Sequence, residues 1–198
     1  MGLAKPNVIA KKDLLSSARN ILIEQGMDKL TLKAVATGAE VTQGTVYYHF
    51  RTKENLMLEL VEELCNEAWN EMKDHVSEKE QILQTALASA KSRIVDGGVY
   101  HRLFYQLVAT SLHHVEMREK LGNLLRSEND HLQSLLKKRW GESPISGVSL
   151  NSVALFANAL IDGIALHCLL NDELEAEHVF IELERLIANV MGEKGEEI

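Results

Sequence analysis

The chain has 198 residues, 45% apolar and 25% charged, a composition that suits a soluble globular fold and is long enough to bury a core. Its formal net charge of −8 is a poor match for a protein that simply coats nucleic acid. The charge is unevenly shared, however: residues 1–54 hold eight Lys/Arg against five Asp/Glu, whereas residues 55–198 carry a net −11. A small basic head on an acidic body fits a DNA-binding domain joined to a domain with another task. Cys65 and Cys168 have no metal-ligand spacing and fall in leucine-rich helical patterns, as buried free thiols do. The sequence shows neither the apolar run of a signal peptide nor about 18–20 continuous apolar residues, so a cytoplasmic protein with no membrane partner is expected.

Residues 1–10 form a mildly basic arm with little periodicity. Leu14, Ala18, Ile21, Leu22 and Gln25 then recur at helical spacing, which predicts a helix over 11–25 with Gly26 beyond its end. Thr31 is a suitable N-cap for a short helix over 32–37, and Thr42 for another over 43–49, buried through Val46 and Phe50. Three short helices with a three- or four-residue turn before the last describe a helix-turn-helix, which places its final helix in the major groove.

The residue types of 41–54 suit that role. Thr42 and Thr45 are short hydroxyls for phosphate or base-edge contact, Gln43 can pair bidentately with adenine, and Gly44 permits close approach. Tyr47, Tyr48 and His49 can reach phosphates near the helix end, with Tyr48 expected to face the duplex and Tyr47 to be shared between core and groove. Lys53, beside the amides that Thr52 caps, completes an anion-binding edge.

The run Thr31-Leu32-Lys33-Ala34-Val35-Ala36, the run from Val41 through Phe50, and Lys53-Glu54-Asn55-Leu56 together resemble the DNA-binding domain of the tetracycline-repressor family. The resemblance covers roughly residues 10–58. It implies a bacterial homodimeric regulator that binds an inverted-repeat operator in double-stranded DNA and is released by a small molecule held in a C-terminal domain. It also implies phosphate contacts from Thr31 and Lys53, and a recognition helix presenting Thr42, Gln43, Gly44, Thr45 and Tyr48. One departure is that the family commonly places glycine where this chain has Glu40, the nearby glycine being Gly38. A non-glycine residue in a left-handed turn costs about 1 kcal/mol.

Beyond the head, Leu56, Leu60, Leu64, Ala68 and Met72 predict a connecting helix over 52–74. Ser77 and Glu80 read as a capping box for a helix over 78–95 that Gly97-Gly98 ends. A helix of about 13 residues from Tyr100 to His113-His114 follows, then a long one from Met117 to Trp140, and a loop over 141–147. The last two helices are predicted over 150–170, nearly apolar all round, and over 173–191. A helix apolar on every side must be covered on most of them. The expected cover is core on one side and a second subunit on the other, through Val153, Ala157, Leu160, Ile164, Phe180, Leu183 and Ile187.

The expected fold class is therefore all-α, about nine helices, with a helix-turn-helix DNA-binding domain over 1–54 and an effector-binding and dimerisation domain over 55–198. Candidate ligand contacts are Tyr100, Leu103, Phe104, Leu107, Leu121, Leu125 and Phe156, with His113, Asn158 and Asp162 as polar anchors. The acidic body favours a neutral or cationic apolar effector. The eight histidines lack ligand spacing, so no metal or cofactor is expected. Neither a glycine-rich nucleotide loop, a nucleophile elbow nor an HExxH motif is present, which argues against an enzyme. An activator, an effector-independent DNA-binding protein and a helical adaptor remain open alternatives.

Overall fold

The structure, a computed structural model, describes residues 11–75, 82–95 and 98–191. The basic arm over 1–10, the Ser77–Glu80 capping box and Gly97 lie outside those residues. Among the described residues the regular elements are all helical: α1 Lys11–Gln25, a 3-10 turn Met27–Lys29, α2 Leu32–Gly38, α3 Gln43–Phe50, α4 Lys53–His75, α5 Ile82–Val95, α6 Val99–Ser111, α7 Val115–Trp140, α8 Leu150–Leu170 and α9 Ala176–Met191. The chain divides into two compact units, 1–62 and 63–198, and α4 runs unbroken through the boundary.

In the first unit, α1 and α2 bury Leu14, Ala18, Val35 and Ala36, and α3 adds Val46 and Phe50. The two α3 positions are four residues apart, so α3 is held by one narrow stripe and leaves its remaining face uncovered. Gly38 explains how closely α1 and α2 approach. A Cβ added there would lie 2.5 Å from the Ser17 Oγ. That hydroxyl donates to the Val35 carbonyl at 3.1 Å and is buried between the two helices. The glycine at 38 thus serves helix packing, and the turn takes its left-handed residue two positions later, at Glu40 with φ 55°.

In the second unit, α7 packs on α6 and α8, while α5 packs on α6 and α9. One core cluster joins Leu87, Ala90 and Ile94 of α5 to Ala165 of α8 and to Phe180 and Leu183 of α9. Phe180 and Leu183 are therefore internal residues, contrary to their expected place at a subunit interface. The last helix starts at Ala176 and not at 173, because the Asn171 side chain accepts from the Glu173 N–H at 3.1 Å and holds a turn there. The α8 helix is long and apolar enough to cross a membrane by length and composition. It also carries Asn158, whose amide donates to Asn129 at 2.7 Å, and Asp162, whose carbonyl accepts from the Tyr105 hydroxyl. These groups tie one side of α8 to neighbouring helices of the chain, while only 17% of its most apolar stretch is buried.

Candidate nucleic-acid interface and ligand cavity

Thr42 caps α3: its Oγ1 accepts from the Thr45 N–H at 3.3 Å and lies 3.1 Å from the Thr45 Oγ1. Thr31 caps α2 in the same way, accepting from the Ala34 N–H at 3.0 Å. Each hydroxyl is therefore fixed in place, and a hydroxyl that accepts one bond keeps its proton for another acceptor. Thr31, Thr42, Gln43 and Gly44 are exposed, and Thr45 is half-buried.

Both tyrosines point outward, Tyr47 at 53% and Tyr48 at 72% exposure. This corrects the expectation that Tyr47 shares the core, since Val46 and Phe50 already fill it. The Arg51 guanidinium lies 5.8 Å from the centre of the Tyr47 ring, and His49 is half-buried with its ring 5.3 Å from that of Tyr48.

Arg51 has φ 66° and ψ −50°, and the next amide, that of Thr52, donates to the Phe50 carbonyl at 2.7 Å. This is a γ-turn with positive φ, strained for a residue with a side chain. It ends α3 abruptly and starts α4, where Thr52 accepts from the Asn55 N–H at 3.1 Å. Lys53 is half-buried, and its ammonium donates to the Met27 carbonyl at 3.3 Å. It thereby ties the start of α4 to the 3-10 turn, while two of its three donors stay available.

Gly44 has no internal explanation. A Cβ built on it would meet only the Thr42 Oγ1, at an ordinary 3.6 Å. Gly44 is the second residue of α3, where alanine is the better helix former, and nothing among the described residues of the head requires a glycine.

The second unit holds a partly open cavity of about 230 Å³ lined by side chains of α4, α5, α7, α8 and α9 and by Ile145 of the loop between α7 and α8. Of the residues expected to contact a ligand, Phe156 and Asn158 line it. Tyr100, Leu103, Phe104, Leu107 and Leu121 are buried in the surrounding core, His113 is exposed at the end of α6, and Leu125 is half-buried away from the cavity. Asp162 has a carboxylate oxygen 3.7 Å from Nε2 of the fully buried His101. The cavity walls that sequence reasoning missed include Trp69, Met72, Arg93, Leu136 and Trp140. Helical periodicity marked several of these as inward-facing, but it carries no signal for which inward faces stand apart from one another.

Behind the cavity lies a buried polar group. The Trp69 indole donates to Glu128 at 2.6 Å, and the other Glu128 oxygen is 3.7 Å from an Arg93 nitrogen. The Arg93 guanidinium lies 5.2 Å from the centre of the Tyr100 ring. Burial, and then the Glu128 charge, push the Cys65 thiol well above its ordinary range, and the Tyr100 hydroxyl is raised chiefly by burial. No group of three or more potential metal ligands occurs among the described residues.

Comparison with known proteins places the head. Residues 14–60 match the family model described as bacterial regulatory proteins, tetR family. The chain is 37% identical over 51 residues to the HTH-type transcriptional regulator QacR of Staphylococcus aureus, covering 26% of this chain and 27% of that protein. It is 22% identical over 124 residues to the fatty acid metabolism regulator protein of Bacillus subtilis, covering 62% of this chain and 64% of that one. The match thus spans less than two thirds of either relative. A crystal structure of a TetR-family transcriptional regulator from a Rhodococcus species shares the fold, with a TM-score of 0.72 and 18% identity over 90% of this chain and 96% of that one. Residues 14–60 thus resemble the tetR family of bacterial regulatory proteins, and the chain shares the fold of the solved regulators.

Proposed function

We propose that this protein is a cytoplasmic, DNA-binding transcriptional repressor that grips an inverted-repeat operator as a homodimer and releases it on binding an apolar small molecule. The observation that carries the DNA reading is Gly44, a helix-weakening residue on an exposed face with open space around it. Its use makes sense when another surface packs against α3 at backbone distance. Gln43, Thr42, Thr45, Tyr47 and Tyr48 surround it with groups that hydrogen-bond bases and phosphates.

Dimerisation is supported by α8 and α9. Phe156, Leu160 and Leu170 are 63%, 46% and 79% exposed, and Leu186 and Val190 on α9 are 56% and 59% exposed. They lie at helical spacing, and uncovered apolar area of this kind marks an interface. Gly163, also on α8, would place a Cβ in open space, as a helix closely approached by a partner helix requires. Val153 is buried, while Ala157, Ile164 and Ile187 are half-buried. The proposed seam therefore centres on Phe156, Leu160, Gly163, Leu170, Leu186 and Val190.

Two heads so joined would enter successive major grooves about 34–36 Å apart, or somewhat farther. Ligand in the second unit would act through α4 by favouring a different head spacing, a coupling of about 1–3 kcal/mol. The test is DNA binding by purified dimer to sites selected from genomic fragments. Gln43→Ala should change the preference among sites, and Lys53→Ala should weaken all of them alike. Equal effects of both substitutions on every site would refute the division between reading and anchoring.

A further inference from the structure

We propose that the cavity of the second unit takes an apolar chain ending in an anionic group, a carboxylate in the first instance, with Arg93 as its headgroup anchor. This rests on the reading that the second unit binds a small molecule and adds the chemistry of that molecule. The acidic composition of 55–198 favours the opposite charge, but composition averages over the surface, whereas a ligand meets the lining. Among the described residues, Arg93 is the one ionisable side chain lining the cavity, and no carboxylate lines it. A cationic ligand would therefore leave water for a wall with no counter-charge.

The state of Arg93 points the same way. Its Nε is buried and has no hydrogen-bond partner among the described residues. Its nearest carboxylate, Glu128, stands at 3.7 Å, too far for a hydrogen bond. Glu128 is itself held by the Trp69 indole at 2.6 Å, and the guanidinium rests on Tyr100. The cation is thus fixed in orientation and partly neutralised from behind, and with its side chain still 19% exposed it can meet a ligand at the cavity wall. A guanidinium can serve two carboxylates at once through its five N–H groups. The rest of the wall is almost wholly hydrocarbon, from Met72, Leu136, Phe156 and Ile161 among others. A volume of about 230 Å³ lies below the roughly 300–1,000 Å³ of drug-sized sites, which suits a slender chain better than a broad ring system.

The experiment uses the full-length dimer and three probes with one tail: decanoate, decanol and decyltrimethylammonium, each below its micelle concentration. Binding is followed by calorimetry and by the fluorescence of Trp69 and Trp140, both of which line the cavity. Decanoate should bind at least about tenfold more tightly than either of the others, the worth of one charge-assisted hydrogen bond. Arg93→Gln alone strands Glu128, so the decisive variant is the double substitution Arg93→Gln with Glu128→Gln, its fold checked by circular dichroism. In that variant the advantage of decanoate over decanol should vanish while decanol binding persists. Decanol or the ammonium probe binding as tightly as decanoate to the parent protein would overturn the anchor but leave the cavity reading standing. Failure of all three to bind would overturn the cavity reading itself. Retention of the decanoate preference by the folded double variant would show that another group holds the headgroup.

Discussion

Replacing Gly44 by alanine separates what the head needs in order to fold from what it needs in order to bind. The added methyl meets only the Thr42 hydroxyl at 3.6 Å, so the free head should gain most of the helix-propensity difference, about 0.5–1 kcal/mol. Against an opposing surface in backbone contact, the same methyl overpacks the interface, and such insertions cost about 1–3 kcal/mol. The variant should therefore bind a selected site about 10- to 100-fold more weakly while its head amides exchange more slowly with solvent. Hydrogen exchange of the Val35 and Val46 amides reports the first quantity, and fluorescence anisotropy with labelled duplex the second. Gly38 supplies the internal contrast, since its Cβ would fall 2.5 Å from the Ser17 Oγ and displace that hydroxyl from Val35. Gly38→Ala should thus destabilise the head by about 1 kcal/mol, the net worth of the displaced hydrogen bond. In a Ser17→Ala background the clash is gone, and the same substitution should be neutral or stabilising. A Gly44→Ala protein that is stabilised and binds DNA as tightly as its parent would refute the argument that α3 is approached at backbone distance.

Other consequences can be checked separately. Glu40→Gly should stabilise the head by up to about 1 kcal/mol, because φ 55° is unfavourable for a side-chain-bearing residue, and should strengthen binding to every DNA by removing a negative charge from the turn; both are readable by thermal melting and anisotropy. If the proposed dimer forms through α8, Gly163→Leu should shift it to monomer in analytical ultracentrifugation without loss of helicity, since the new side chain meets open space within the chain; a dimer of unchanged affinity would exclude α8 from the seam. Cys65, 2% exposed and with its thiol raised by burial, should resist alkylation at pH 8 in the folded protein and react only on unfolding, as peptide mass mapping would show.

The head was legible because its signals are local. Thr31, Thr42 and Thr52 sit where a capping hydroxyl can accept a first-turn amide, and each does so. The exposure of Tyr47 was missed because adjacent positions on a helix differ by only about 100°, too little to decide a boundary position without knowing that Val46 and Phe50 exhaust the available core. The turn was legible from the resemblance, since Glu40 takes the left-handed place expected of it, but the reason for the neighbouring glycine was not: the Ser17 hydroxyl shows that Gly38 answers to α1.

The body was legible only as a set of helices, and α8 shows why. Its apolar residues surround the helix, so the sequence states that every side must be covered without saying by what. The structure distributes those sides: Ala154 and Ala165 go to the core, Ala157 and Ile161 to the cavity wall, and Leu170 and Leu166 outward. Phe156 and Leu160 belong to two groups at once, lining the cavity while remaining exposed. If a second subunit covers that outer face, these two side chains touch both the ligand space and the partner. A ligand that displaces them then changes the dimer seam directly, and head spacing can respond through the seam as well as through α4. Substituting Phe156 by leucine, which shortens the reach of that side chain to the seam, should therefore reduce the effect of ligand on DNA affinity more than it reduces ligand affinity itself. Measuring DNA binding with and without saturating ligand decides it, and an unchanged ratio would confine the coupling to α4.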